Sequence, residues 1–190
     1  EQYFLSDRDE VSNKDFLGIV DSYDSESGIV TLEQRNYFKP GDVVEFFGPE
    51  LEPVTFTIPE SIMDKDGKLT GKTILRGSCF LKPGEYHLVV HIWVLSNDGK
   101  YLIQRRSDNK KLMPGEWAAT GGAAISGEDS FTAASRELFE ELGIKSDKTT
   151  LKKILRIKRR NSLLDIWAII CDTPADKLVL QQSEVAEAKW

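Results

Sequence analysis

The chain has 190 residues, 40% of them apolar, and a net charge of −6 at neutral pH. That is enough apolar content for one good core or two small ones. It argues against nucleic-acid binding by a general basic surface, and the longest apolar run, Leu88–Leu95, is broken by His91 and far too short to span a membrane.

The first ten residues, EQYFLSDRDE, lack the basic start and apolar core of a signal peptide. Two cysteines, Cys79 and Cys171, without a CxxC spacing suit a reducing compartment. A cytoplasmic location without membrane partners is therefore expected. Up to about Ser61 the pattern is one of short β-segments: Leu17–Ser22, Gly28–Gln34, Asp42–Phe47 and Val54–Ile58. Polar or Gly/Pro turns separate them, and Glu26, Ser27 and Gly28 predict a hairpin between the first two. The core candidates are Ile19, Val20, Ile29, Leu32, Val43, Val44, Phe46, Phe56 and Ile58. With no helical period of useful length, residues 1–61 read as a small all-β barrel, marginal in stability alone.

A second unit, residues 62–190, opens with the turn Asp64–Gly67. Strand Leu88–Leu95, hairpin turn Ser96–Gly99 and returning strand Lys100–Arg106 follow, then the polar loop Ser107–Gly115 and a short extended piece, Trp117–Ala123. Ser130–Leu142 has helical periodicity, with Asp129 or Ser130 as N-cap and Gly143 as C-cap. Leu151–Arg159, Leu163–Cys171 and Glu184–Lys189 read as strands. Strands on both sides of a central helix predict an α/β (α+β) sandwich.

Chemistry concentrates at the helix. At 100° per residue Phe131, Ala134, Leu138 and Leu142 share one face, and Glu137, Glu140 and Glu141 share a neighbouring one. Like charges at this spacing oppose the helix. Arg136 offsets part of the repulsion through its i+4 relation to Glu140, and a hard divalent cation such as Mg²⁺ would offset more. Glu128 lies just before the helix, and Gly121 and Gly122 permit a tight backbone turn. Periodicity alone leaves a metal site and an ordinary solvated face both open.

The spacing of Gly122, Glu128, Arg136, Glu137, Leu138, Glu140, Glu141, Gly143 and Ile144 resembles the Nudix signature. The resemblance extends over about residues 64–190, through LTGKTILRG, GEYHLVVHIWVL, YLIQRRS and PGEWAATGG. It implies a Nudix sandwich with a mixed sheet and Mg²⁺- or Mn²⁺-dependent hydrolysis of a diphosphate bond in a nucleoside or organic diphosphate linked to another moiety. It also implies Glu137, Glu140 and Glu141 as main metal ligands, Glu128 and the Gly122 carbonyl as supporting ones, and Arg136 as the residue that holds the glutamates. The base varies across the family, and Glu141 is the choice here. A small-molecule diphosphate is the implied partner, and monomer and homodimer both stay open. Nudix domains normally continue with another strand or helix, so either a cut after Trp190 or a missing tail is the expectation.

Arg105, Arg106, Lys110 and Lys111 are candidates for phosphate contact, with ordinary surface charge as the alternative. His87 and His91 point to one face of a strand, which is more often structural than metal-binding. Related isopentenyl-diphosphate isomerases suggest an alternative activity. That chemistry uses a cysteine, and the segment Ala118-Ala119-Thr120-Gly121 has none, which favours hydrolysis. Residues Gly18–Pro49 resemble the small C-terminal β-barrel of U32-family peptidases through Gly18, Val20, Tyr23, Asp24, Glu33, Arg35, Asn36, Phe38, Gly41, Asp42, Glu45, Gly48 and Pro49. No peptidase catalytic segment accompanies them, so an accessory role is implied. A non-catalytic binding or accessory module is the remaining alternative for the whole chain.

Overall fold

The computed structural model describes residues 16–26, 29–36, 38, 41–48, 51–75 and 81–190. Expectations placed on Ser27, Gly28, Pro49 and Cys79, and on the side chain of Ile29, lie outside the described residues. In chain order the elements are β1 (Gly18–Asp24), β2 (Ile29–Gln34), β3 (Val43–Gly48), β4 (Leu51–Thr57), β5 (Glu60–Met63), β6 (Leu69–Ile74), β7 (Tyr86–Leu95), β8 (Tyr101–Arg106), β9 (Trp117–Ala118), β10 (Thr120–Ala123), α1 (Ser130–Leu142), β11 (Lys152–Lys158), β12 (Ser162–Ile170), a single 3-10 turn (Ala175–Lys177) and β13 (Val185–Lys189).

The central strand is β7. Its alternate residues Tyr86, Leu88, Val90, Ile92 and Val94 are buried on one face, as a period of two requires. That face forms one core with Ala133, Ala134, Leu138 and Leu142 of α1 and with Leu163, Trp167 and Ile169 of β12. β12 runs parallel to β7 from Ser162 opposite His87 to Ile170 opposite Leu95, and β11 closes that edge antiparallel to β12. The other edge of β7 is shared in series by three strands. β5 pairs at Tyr86 and His87, β10 from Val89 to Ile92, and β8 at Val94 and Leu95. β8 then departs to pair with β9 and β13.

These pairings correct the expected architecture. Among the described residues, the sandwich preceded by a closed barrel is replaced by one curled, mixed sheet of nine strands, β5 to β13, and two separate two-stranded sheets, β1-β2 and β3-β4. The sheet curls because β7 hands its edge from one partner to the next. The barrel does not close because, among the described residues, β1 pairs with β2 and β3 with β4, each pair forming a sheet of its own. The expected interior is also thin: Ile19, Val20 and Val43 are exposed, whereas Val44 and Ile58 are buried and Phe46 stacks on Phe56.

By its contacts the chain divides into residues 1–38 and 39–190. In the first unit β1 and β2 pair from Gly18–Gln34 to Asp24–Ile29. The Leu17 carbonyl accepts from the Arg35 and Asn36 amides, and the Asn36 side chain donates to the Phe16 carbonyl. Among the described residues no helix is long and apolar enough to cross a membrane.

Candidate active site

The helix α1 begins where Asp129 caps it, Oδ1 accepting from the Thr132 amide at 2.7 Å. It ends at Gly143, whose φ of 70° is the left-handed cap that glycine tolerates. These ends fix which turn of the helix lies beside β10.

Arg136 is the hub. Its Nε and Nη2 donate to the two carboxylate oxygens of Glu128 at 2.7 and 3.0 Å. Its Nη1 donates to Glu137 Oε1 at 2.9 Å and to Glu140 Oε2 at 3.0 Å, and Nη2 also reaches the Ala123 carbonyl at 3.1 Å. Burial works against the Arg136 charge, but the bond to Glu128 and the charges of Glu137, Glu128 and Glu140 outweigh it and hold its pKa above the ordinary value.

Glu141 turns away from this hub. Its Oε2 accepts from Gln104 Nε2 at 2.7 Å and from the Gly121 amide at 3.2 Å. Gln104 is oriented in turn by Thr120, whose hydroxyl donates to Gln104 Oε1 at 3.0 Å. Burial, then the nearby Glu137 charge, pushes the Glu141 carboxyl up to about 8 against the pull of Gln104 and the Gly121 amide. Burial also raises Glu137, opposed by Arg136.

The two glycines play different parts. A Cβ on Gly122 would lie 2.3 Å from Glu137 Oε1, so the carboxylate fills the space beside the bare backbone. A Cβ on Gly121 would lie 2.2 Å from the Val90 carbonyl oxygen, so that glycine serves strand approach.

A fifth acidic side chain enters from a distance in sequence. Glu184, just before β13, is buried, pairs with Lys110 and adds negative charge beside Glu137 and Glu141. Its carbonyl accepts from the Ser107 amide at 2.9 Å. Glu184, Gln104 and Thr120 were not among the sequence candidates. Gln104 carries a signal, a polar residue in register with buried Leu102 on one strand face; Glu184 carries none.

The candidate phosphate ligands are mostly engaged. Arg105 pairs with Asp108 at 2.9 Å and lies 3.9 Å from Glu187. Arg106 donates to the Leu112 and Met113 carbonyls at 3.1 to 3.2 Å, holding the loop in which Met113 adopts a φ of 49°. Lys111 is exposed. His87 Nδ1 lies 3.2 Å from Glu60 Oε2, and burial, then Arg159, lowers the pKa of His91.

Among the described residues no three acidic, histidine or cysteine side chains converge into a ready-made metal cage. The donor set nevertheless fits a hard cation: its oxygens are carboxylates, and two of them, Glu137 and Glu141, are buried, which raises their pKa values.

Residues 85–190 match the NUDIX domain family, and residues 12–73 match the peptidase family U32 C-terminal domain. An uncharacterized Nudix hydrolase of Listeria monocytogenes is 38% identical over 130 residues, which is 68% of this chain and 76% of that protein. A tRNA hydroxylation protein of Bacillus subtilis is 49% identical over 67 residues, 35% of this chain and 16% of its own length. A crystal structure from Deinococcus radiodurans superposes with a TM-score of 0.58 at 22% identity, covering 70% of this chain and 82% of that one, and shares the fold. The chain belongs to the Nudix family and is a Nudix-type pyrophosphohydrolase of a diphosphate-containing substrate.

Proposed function

We propose that the substrate is a nucleoside or organic diphosphate linked to another moiety, and that Mg²⁺ or Mn²⁺ is held by Glu137, Glu140 and Glu141 with support from Glu128 and the Gly122 carbonyl. One observation carries this reading: Glu128, Glu137 and Glu140 share the single guanidinium of Arg136, while Glu141 is hydrogen-bonded by two neutral donors. The excess negative charge calls for a cation. Bound there, the metal supplies shielding of the phosphate oxygens and a lowered pKa for the attacking water.

The chain's own residues do the rest. Arg136 keeps three carboxylates in one place. Gln104 and the Gly121 amide orient Glu141, assigned as the base that takes the proton from water; a pKa near neutrality suits that task. Lys111, and Arg105 on exchanging exposed Asp108 for substrate, are the phosphate contacts, while Arg106 and Lys110 serve the loop. Residues 62–190 form the hydrolase region and residues 1–61 an accessory one; the two family matches support two such regions, with the U32 match running on to residue 73. The proposed setting is cytoplasmic, and gel filtration distinguishes a monomer from a homodimer.

The test is product release from nucleotide sugars, dinucleoside polyphosphates and oxidised nucleotides, with and without Mg²⁺, beside calorimetric titration of the metal. Glu140→Gln should lower turnover at least about 100-fold with the fold retained. Absence of both turnover and metal binding in the wild type would sink the reading.

A further inference from the structure

We propose that Ser61 is a positioning residue for the active site: through Gly127 it sets Glu128, and through Glu128 the guanidinium of Arg136. The inference rests on the site reading above. It concerns a residue outside the signature and within the segment matched to the U32 C-terminal domain.

Glu128 sits at the end of a tight turn. Its amide donates to the Ile125 carbonyl at 3.1 Å, and its Oε2 accepts from the Ile125 amide at 2.9 Å. Gly127 takes a φ of 89° inside that turn. From the helix side, Arg136 holds the Glu128 carboxylate. From the opposite side the turn is held by β5 and the residue before it. The Pro59 carbonyl accepts from the Ser126 amide at 3.0 Å, and Ser61 Oγ accepts from the Gly127 amide at 2.9 Å. The Ser61 hydroxyl also lies 3.4 Å from Ser126 Oγ, which can accept its proton.

β5 is a firm support. It is paired to the central strand at Ile62–His87 and Met63–Tyr86. Glu60, between the two anchoring residues, is buried with a carboxylate oxygen 3.2 Å from His87 Nδ1. Ser61 itself is buried. A buried hydroxyl is costly unless its bonds are made, and here they are made to the two residues that precede Glu128. The hairpin of β5 and β6 needs only an apolar side chain at this position; the turn needs an acceptor. Because displacements of about 1 Å in a reacting group can cost ~100-fold in rate, an anchor on the residue next to Glu128 is felt at the carboxylate cluster.

The experiment uses the full chain and Mn²⁺ alone as probe, with affinity read by electron paramagnetic resonance and the Gly127 amide by hydrogen exchange. Ser61→Ala should weaken Mn²⁺ binding about tenfold and speed Gly127 exchange, and Ser61→Thr should restore both. Thr70→Val is the control: Thr70 Oγ1 donates to the Ile62 carbonyl at 2.8 Å in the same hairpin without touching the turn. It should lower the melting temperature and leave Mn²⁺ affinity unchanged. Should Ser61→Ala not fold, Ser61→Cys, of similar size and a poorer acceptor, replaces it. Wild-type Mn²⁺ affinity in the Ser61 variant, or an equal loss in Thr70→Val, overturns the inference alone. Absence of Mn²⁺ binding by the wild type overturns the site reading and this inference with it.

Discussion

Arg136 grips both carboxylate oxygens of Glu128, Nε at 2.7 Å from Oε1 and Nη2 at 3.0 Å from Oε2. Both side chains are nearly buried, at 8% and 11% exposure, so breaking this fork strands charge inside the protein. Arg136→Met should cost about 3–5 kcal/mol in urea unfolding without metal. Arg136→Lys keeps the charge but loses the planar fork, and should fall between. A methionine variant as stable as the wild type would refute the hub assignment.

The Glu141 carboxyl titrates near 8 in the folded protein against an ordinary value of 4.5. Between those values the folded state holds more protons than the unfolded one. Stability from this group is therefore complete below about pH 4.5 and is lost as pH rises through 8, with a slope of up to about 1.4 kcal/mol per pH unit. Without divalent metal the melting temperature should fall from pH 5 to pH 9. Saturating Mg²⁺ should flatten that fall, because it binds the ionised form. Gln104→Leu removes a donor that lowers this pKa and should shift the acidic limb of the activity profile to higher pH. Melting curves insensitive to both pH and Mg²⁺ would contradict the account.

Neighbouring glycines should fail in different ways. Gly121→Ala puts a methyl 2.2 Å from the Val90 carbonyl oxygen, a backbone atom that can yield only with the strand. It should cost about 1–3 kcal/mol of stability. Gly122→Ala meets the Glu137 carboxylate at 2.3 Å, the mobile end of a side chain. It should leave the fold near wild type and weaken metal binding. Calorimetry and thermal melts on the two variants check this, and equal losses in both quantities would count against it.

Asp165 is fully buried in β12, with Arg156 Nε and Nη2 at 2.6 and 2.8 Å and Lys153 Nζ at 2.6 Å. Burial opposes its charge, but Arg156 and Lys153 prevail and lower its pKa. The stabilisation is present above the ordinary value of 3.8 and is lost as pH falls through the lower folded value. Asp165→Asn should cost about 3–5 kcal/mol at neutral pH and lose its effect in acid, as urea unfolding at pH 7 and in strong acid would reveal.

The readable parts of the sequence were those governed by local periodicity. β7 alternates buried residues with half-buried or exposed ones along its length, and α1 runs between the cap residues Asp129 and Gly143 that its composition announces. β5 was missed because Glu60, Ser61, Ile62 and Met63 are all buried, which leaves no alternation to read. The strands of the expected barrel are legible, but closure is not, because it depends on which distant edges pair, and β1-β2 and β3-β4 pair only within their own hairpins among the described residues. The helix spacing brings Glu137 and Glu140 to one guanidinium, but nothing local says that Glu141 turns to Gln104. Glu184 reaches the site through chain reversal before β13, a long-range event with no local pattern.

The grip of Arg106 on the Leu112 and Met113 carbonyls bears on how this enzyme can change over generations. The guanidinium holds main-chain atoms, so the loop's path does not depend on which side chains project from it. Leu112 and Met113 are both more than 70% exposed. Substitutions there can alter what the loop presents without the conformational entropy of reordering it being lost again at each new side chain. Selection thus has a firm frame with a freely variable position at Leu112 and, at Met113 with its φ of 49°, one open to side chains that tolerate left-handed backbone, placed on the loop whose Lys110 pairs with Glu184.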